Sequence, residues 1–228
     1  MFAHEETTMI RVWGRRSSVN VQKVLWTLAE LDIPFTRETV GGSFGGNRDA
    51  DFLRMNPNGL VPVIQDGGVT MFESNAIVRY LCAHYRAGLL RPEAVQPLAA
   101  AEQWMEWQQT TFAPHVSAIF WNTVRVPSAS RNKTAVADAE KGAIAALRIA
   151  DEHLARNDWF AGSQFSFGDI VMGAFMWRYL GLDCIRPDMP HVAEWCEALK
   201  KREPYRKWVM VPVARNLDEW NTYERELG

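Results

Sequence analysis

Cysteine is scarce: three residues in 228, Cys82, Cys184 and Cys196, lie far apart and form no CxxC pair. That excludes a disulfide framework and a dithiol redox motif, and it suits a reducing compartment, so a cytoplasmic location is expected. The five histidines show no metal-ligand spacing with the cysteines, so no metal site is expected. No run approaches the roughly 20 apolar residues of a membrane span. The start, residues 1–8, is acidic and lacks the apolar stretch of a secretory leader. Neither sign of charge is in excess, with 25 Lys and Arg against 27 Asp and Glu. Nothing in that balance favours nucleic acid or an anionic membrane as partner. The glycine run at 41–46 lacks the Lys-Ser/Thr of a phosphate-binding loop, and GxGxxG is absent.

What is present is a chain of 47% apolar residues, enough for a sizeable core. Met9–Trp13 is short, β-prone and followed by Gly14, which predicts a first strand. From Ser18, Val21, Val24, Leu25, Leu28 and Leu31 recur at helical spacing until Pro34. Phe35–Val40 predicts a second strand and Asp49–Met55 a short helix. Val61–Gln65 and Val69–Phe72, joined by Asp66-Gly67-Gly68, carry a strong hairpin signal. A helix follows from Ser74 to about Tyr85. The order β-α-β-α-β-β-α predicts a small mixed sheet covered by helices over 9–88. A linker is expected over 89–97, with Pro92 and Pro97, and an all-α unit over 98–228. Its helices are expected at Ala99–Phe120, Thr134–Ala155, Gly168–Leu180, Met189–Lys201 and, more weakly, Leu217–Tyr223.

Three local features of the first half bear on chemistry, and each has a plain structural alternative. In Asn56-Pro57-Asn58-Gly59-Leu60-Val61-Pro62, a cis Val61–Pro62 bond would turn the Val61 backbone outward toward an extended peptide. Only about 5–6% of X–Pro bonds are cis, so the local sequence alone favours an ordinary trans proline opening a strand. In Glu73-Ser74-Asn75, a helix N-terminus can hold a carboxylate while Glu73 accepts from an ammonium, which suits an α-amino-acid end. The alternative is simple capping beside a surface acid. In Arg15-Arg16-Ser17-Ser18-Val19-Asn20, a hydroxyl at a helix N-terminus can donate to a thiolate. Here too the alternative is that Ser18 caps the helix.

Together, Ser17-Ser-Val-Asn-Val-Gln-Lys-Val-Leu25, Asn56-Pro-Asn-Gly-Leu-Val-Pro-Val-Ile64 and Phe72-Glu-Ser-Asn-Ala-Ile-Val-Arg-Tyr-Leu81 resemble the glutathione S-transferase superfamily. In the second half, Glu102-Gln-Trp-Met-Glu-Trp-Gln108 resembles the start of that family's first long helix. Ser166-Phe-Gly-Asp169 resembles its capping box. The resemblance implies a thioredoxin-like N-terminal domain, an all-helical C-terminal domain and a homodimer. It also implies glutathione as co-substrate, a cis Pro62, and pairing of Val61 with the cysteinyl part of the tripeptide. Glu73 and Ser74 would hold the γ-glutamyl end, and Ser18 and Asn20 would contact the sulfur, as in theta- and nu-like members. Glu102 would reach the partner subunit's glutathione.

The sequence departs from the family's other patterns in two respects. No Tyr or Cys occupies the first turn, which sets aside tyrosine-type classes and a protein mixed disulfide. Gly59 stands where some relatives hold the glycyl carboxylate, leaving Asn58 or Arg16 to do so. Ten tryptophans invite an apolar electrophile pocket, with Trp107, Thr111, His115 and Trp177 as its expected wall. Aromatics at helical spacing are nevertheless core by default. The function implied is activation of the glutathione thiol for attack on small apolar electrophiles, a detoxification chemistry. The alternatives are a glutathione-dependent disulfide or peroxide reductase and a non-catalytic binding protein of the same fold.

Overall fold

A computed structural model describes residues 9–86 and 88–228, so the acidic start lies outside the described residues. Four short strands form one mixed sheet: β1 (Ile10–Trp13), β2 (Phe35–Glu38), β3 (Val63–Asp66) and β4 (Val69–Phe72), in the order β2-β1-β3-β4. β1 runs parallel to β2, while β3 is antiparallel to both β1 and β4. The parallel pair is bridged by helix α1 (Val19–Glu30), and α2 (Ala50–Met55) precedes the β3–β4 hairpin. Helix α3 (Ser74–His84) closes the unit, giving the expected thioredoxin-like βαβαββα order.

Alternation along the strands separates two faces. Ile10, Val12 and Ile64 join the main core under α1 and α3, while Trp13 and Val63 meet Phe52 of α2 on the other face. Helix α1 is buried continuously from Val21 to Leu28 because it lies between the sheet and the second domain. Fully burying a large apolar side chain stabilises by about 1.5–3 kcal/mol. That outweighs the propensity cost of its valines, at most about 0.7 kcal/mol each, so packing rather than propensity holds α1.

The second domain is helical throughout the described residues: α4 (Val95–Trp107), α5 (Ala113–Phe120), α6 (Lys133–Leu154), α7 (Phe167–Gly181), α8 (Pro190–Lys200), α9 (Glu203–Trp208) and α10 (Leu217–Leu227). Two expectations need correction. The linker is shorter than predicted, because α4 begins at Val95 and holds Pro97 in its first turn, where a missing N–H costs no intrahelical bond. The single helix expected over Ala99–Phe120 is interrupted by a wide π-type turn at Gln108–Phe112, and a second such turn, Trp121–Arg125, follows α5. Helix α9 was missed; it is only six residues long and contains Pro204.

Helix α7 is the central post of this domain. Ser166 accepts from Gly168 N at 3.2 Å while Asp169 accepts from Ser166 N at 2.9 Å, which is the capping box expected from the sequence. Asp169 also accepts from Phe160 N and Trp195 Nε1, both at 3.0 Å, so one carboxylate ties three segments together. Burial pushes that carboxyl up to about 6, against the pull of its four donors. Against α7 and α8, Gly173 permits the close approach of Trp26 from α1. The two domains therefore share one core.

Candidate functional site

The turn between β1 and α1 is pinned to the neighbouring strand and loop by Gly14 N to Glu38 O, 2.9 Å, and Arg15 N to Val40 O, 3.0 Å. Ser18 is the N-cap residue of α1 by backbone geometry, yet its side chain makes no capping bond. The hydroxyl has no hydrogen-bond partner among the described residues and is half-buried at a helix N-terminus. In the first turn of the same helix, Asn20 Oδ1 is buried without a hydrogen-bond partner among the described residues. Such an atom carries a desolvation cost that a donor from outside the chain would relieve.

Val61 closes the other side of this turn. The Val61–Pro62 bond is cis, in line with the resemblance and against the local preference. Strand pairing starts only at Val63, so the Val61 backbone lies outside the ladder. Val61 stands beside Gly14 and Gly41, its side chain 3.3 Å and 3.4 Å from where a Cβ on each would sit. The strand-to-helix junction is tied to α1 through Asn75, which accepts from Lys23. Glu73 has φ +71°, a conformation rare outside glycine, and is exposed, while Ser74 opens α3 in a buried position. Neither side chain caps α3.

Asn75 is drawn inward instead, accepting from Lys23 Nζ at 3.0 Å. Lys23 also donates to Gln108 Oε1 at 3.2 Å and lies 4.8 Å over the Phe175 ring. Full burial lowers its ammonium to about 7, with the field of Glu73 opposing.

The remaining expected residues divide. Asn58 is exposed, its N–H bonded to Asn56 Oδ1 at 3.1 Å and its carbonyl to Arg48 at 3.3 Å. Gly59 has φ +63°, and Arg48 and Asn47 crowd the space a Cβ would take, so glycine there serves the turn. Arg16 is turned away: its guanidinium donates to Lys207 O and lies over Trp208, so it is committed to α9. Glu102 pairs with Arg79 of α3 at 2.6 Å, bridging α3 and α4.

Of the expected electrophile wall, Trp107 is half-buried against Trp104 and Phe112, and Thr111 is half-buried in the wide turn. His115 is corrected: its ring sits on Gly142 of α6, so it is a helix-packing residue. Trp177 is also corrected, since its indole donates to Val211 O at 2.8 Å and lines a different groove with Leu180, Arg186 and Met210.

Sequence reasoning missed a charged cluster beside Ser17. Glu224 of α10, 2% exposed, accepts from Ser17 Oγ at 3.2 Å and Ser43 N at 3.1 Å. It pairs with Arg15 at 2.7 Å and Arg125 at 3.8 Å. Burial pushes the Glu224 carboxyl up, but Ser43 and the two arginines outweigh it and hold it below its ordinary value. Buried Arg178 donates to Ser17 O at 2.7 Å. The one sequence signal was Arg178 itself, the single charge after Asp169 in the apolar run of α7.

The arrangement can seat an extended peptide by its backbone at Val61, an amino-acid end at Glu73 and Ser74, and a thiol at Ser18. Of the protein's own thiols, Cys82 and Cys196 are buried and Cys184 half-buried. Burial raises Cys82 and Cys196 to about 12, and it raises Cys184 as well.

Comparison with known proteins agrees with this fold. Residues 17–84 match the family model for the N-terminal domain of glutathione S-transferase, and residues 98–203 match that for its C-terminal domain. The chain is 39% identical over 208 residues to glutathione S-transferase GstB of Escherichia coli (strain K12), covering 90% of this chain and 100% of that protein. It is 30% identical to glutathione S-transferase 3 of Zea mays, over 88% of this chain and 93% of that one. Among solved structures, the theta class glutathione S-transferase from the citrus canker pathogen Xanthomonas axonopodis pv. citri, with glutathione bound, matches with a TM-score of 0.86. That match is at 40% identity and covers 90% of this chain and 99% of the other.

Proposed function

The chain belongs to the glutathione S-transferase family, and from that premise we propose that it activates the glutathione thiol through Ser18 and Asn20 for attack on small electrophiles. The observation that carries this is the uncapped Ser18 hydroxyl at the N-terminus of α1; Asn20, two residues on, would meet the sulfur through its side-chain N–H, since its Oδ1 only accepts. A free thiol of pKa about 8.5 is mostly protonated at neutral pH. A hydroxyl donor and the positive end of a helix both favour the anion, so the bound thiol gives up its proton to solvent below that value. The thiolate sulfur then forms a bond to the electrophilic carbon, and the leaving group departs with its electron pair.

The tripeptide's cysteinyl part pairs with the Val61 backbone, and its γ-glutamyl end lies at Glu73 and Ser74. Arg48, whose guanidinium reaches the Asn58 carbonyl, replaces Arg16 as the cation near the glycyl end. We further read the protein as a cytoplasmic homodimer, with Glu102 and Arg79 on the face toward the partner. The three unpaired cysteines support a reducing compartment.

Two substrates separate conjugation from disulfide reduction: turnover of 1-chloro-2,4-dinitrobenzene supports the transferase, and turnover of hydroxyethyl disulfide alone supports the reductase. Replacing Glu73 by Ala is expected to raise the KM for glutathione about tenfold or more, with a smaller effect on kcat. An unchanged KM removes Glu73 from the glutathione site.

A further inference from the structure

Among the described residues, the charged cluster beside Ser17 holds more positive charge than negative. Arg15 comes from the β1–α1 turn, Arg125 from the wide turn after α5, and Arg178 from α7. Their side chains are largely buried; among the described residues Arg15 and Arg125 pair with Glu224 of α10 and Arg178 stands beside those two arginines, so three cations gather around one anion. Arg15 Nε lies 2.7 Å from Glu224 Oε1, the short ion pair of the cluster. Arg178, 6% exposed, has a backbone carbonyl rather than a carboxylate as its acceptor. Burial and the neighbouring charges of Arg15 and Arg125 lower it to about 9.

Aromatic rings frame these cations. Arg178 lies 4.5 Å over Phe120 and 5.5 Å from Trp220, and Arg125 lies 4.9 Å from Trp220. Trp220 is 4% exposed, and its Nε1 is a buried donor with no partner among the described residues. Ser17, bonded to Arg178 through its carbonyl and to Glu224 through its hydroxyl, precedes Ser18 in the chain. The cluster therefore adjoins the position proposed for the sulfur. Both Glu224 and Trp220 belong to α10, the last helix, while the three arginines stand on other elements.

We propose that this cluster is the second-substrate site and that it takes an aromatic electrophile bearing a carboxylate. Glu224 holds the place of that carboxylate when α10 is closed. Arg15, Arg125 and Arg178 form charge-assisted contacts with the incoming group, and Phe120 meets the ring. Because Glu224 carries the same charge as the substrate, it competes with it, and binding requires α10 to shift. This rests on the glutathione site at Ser18.

The test compares 4-chloro-3-nitrobenzoate with 4-chloro-3-nitrobenzamide, which share leaving group and ring shape. For each, kcat/KM with glutathione is divided by the uncatalysed rate, and glutathione binding is measured separately by calorimetry. The wild type is expected to favour the benzoate by about tenfold or more, the size of one charge-assisted contact. Arg125→Gln should reduce that preference several-fold, and Arg125→Lys should restore part of it, which a merely structural role would not do. Glu224→Gln should lower the KM for the benzoate relative to the benzamide. A wild-type preference at or below one, or a preference indifferent to both charge changes, overturns the proposal and leaves the transferase reading standing. No turnover of either compound together with no glutathione binding overturns both.

Discussion

Ser18 and Glu224 show what one residue's surroundings add to its identity. A serine at the start of a helix reads equally well as a cap or as a thiol contact, because both use the same hydroxyl at the same position. The structure shows that the capping bond is not made, which leaves the hydroxyl open to the proposed thiol contact. Glu224 was illegible for another reason: its partners Arg15, Ser17, Ser43 and Arg125 are scattered over the chain, and no spacing rule connects them. Lys23 carries no signal of its own in the sequence, yet it is fully buried with amide oxygens as acceptors. Its folded-state pKa, about 7, lies below its ordinary 10.5. The native state therefore binds fewer protons than the unfolded chain between those values, and stability rises with pH across that window. Compared with Lys23→Met, wild-type stability should gain up to roughly 4 kcal/mol between pH 7 and pH 10, at about 1.4 kcal/mol per pKa unit. Urea unfolding at several pH values checks this, and a constant difference between the two proteins would show that Lys23 keeps its proton throughout.

Elements were readable where periodicity was unbroken. The apolar repeats of α1 and α3 and the two short runs around Gly67-Gly68 were each found within a few residues of their observed bounds. Proline misled in both directions. Pro97 suggested a linker but sits in the first turn of α4, and Pro114 lay unnoticed in a helix that the chain instead interrupts with a wide turn. At this scale the capping box of α7 is the most exposed to test, since Asp169 satisfies Phe160 N, Ser166 N and Trp195 Nε1 at once. Asp169→Ala leaves those buried donors unpaired and is expected to cost about 3–5 kcal/mol of stability. Chemical denaturation with an unchanged m-value measures it, and a loss under about 1 kcal/mol would mean that water replaces the carboxylate.

For the whole molecule, the division into a mixed α/β unit and a helical unit was legible because strand signals stop after Phe72. The shared core was not, since α1 is buried on one side by the sheet and on the other by α7, and the sequence shows only that it is apolar on most faces. The same holds for the proposed site. Val61, Glu73, Ser74, Ser18 and Asn20 were named from motif order, whereas the expected wall residues His115 and Trp177 were not, because helix rotation decides which groove a side chain enters. His115 faces Gly142 and Trp177 faces Val211.

The central claim is that the Ser18 turn stabilises a glutathione thiolate, and ultraviolet titration of enzyme-bound glutathione tests it most directly. The wild type is expected to titrate at least about one unit below the free thiol's value of about 8.5, and Ser18→Ala is expected to move it back toward that value. A bound thiol that titrates like the free one in the wild type, or one that Ser18→Ala leaves unchanged, would contradict the account.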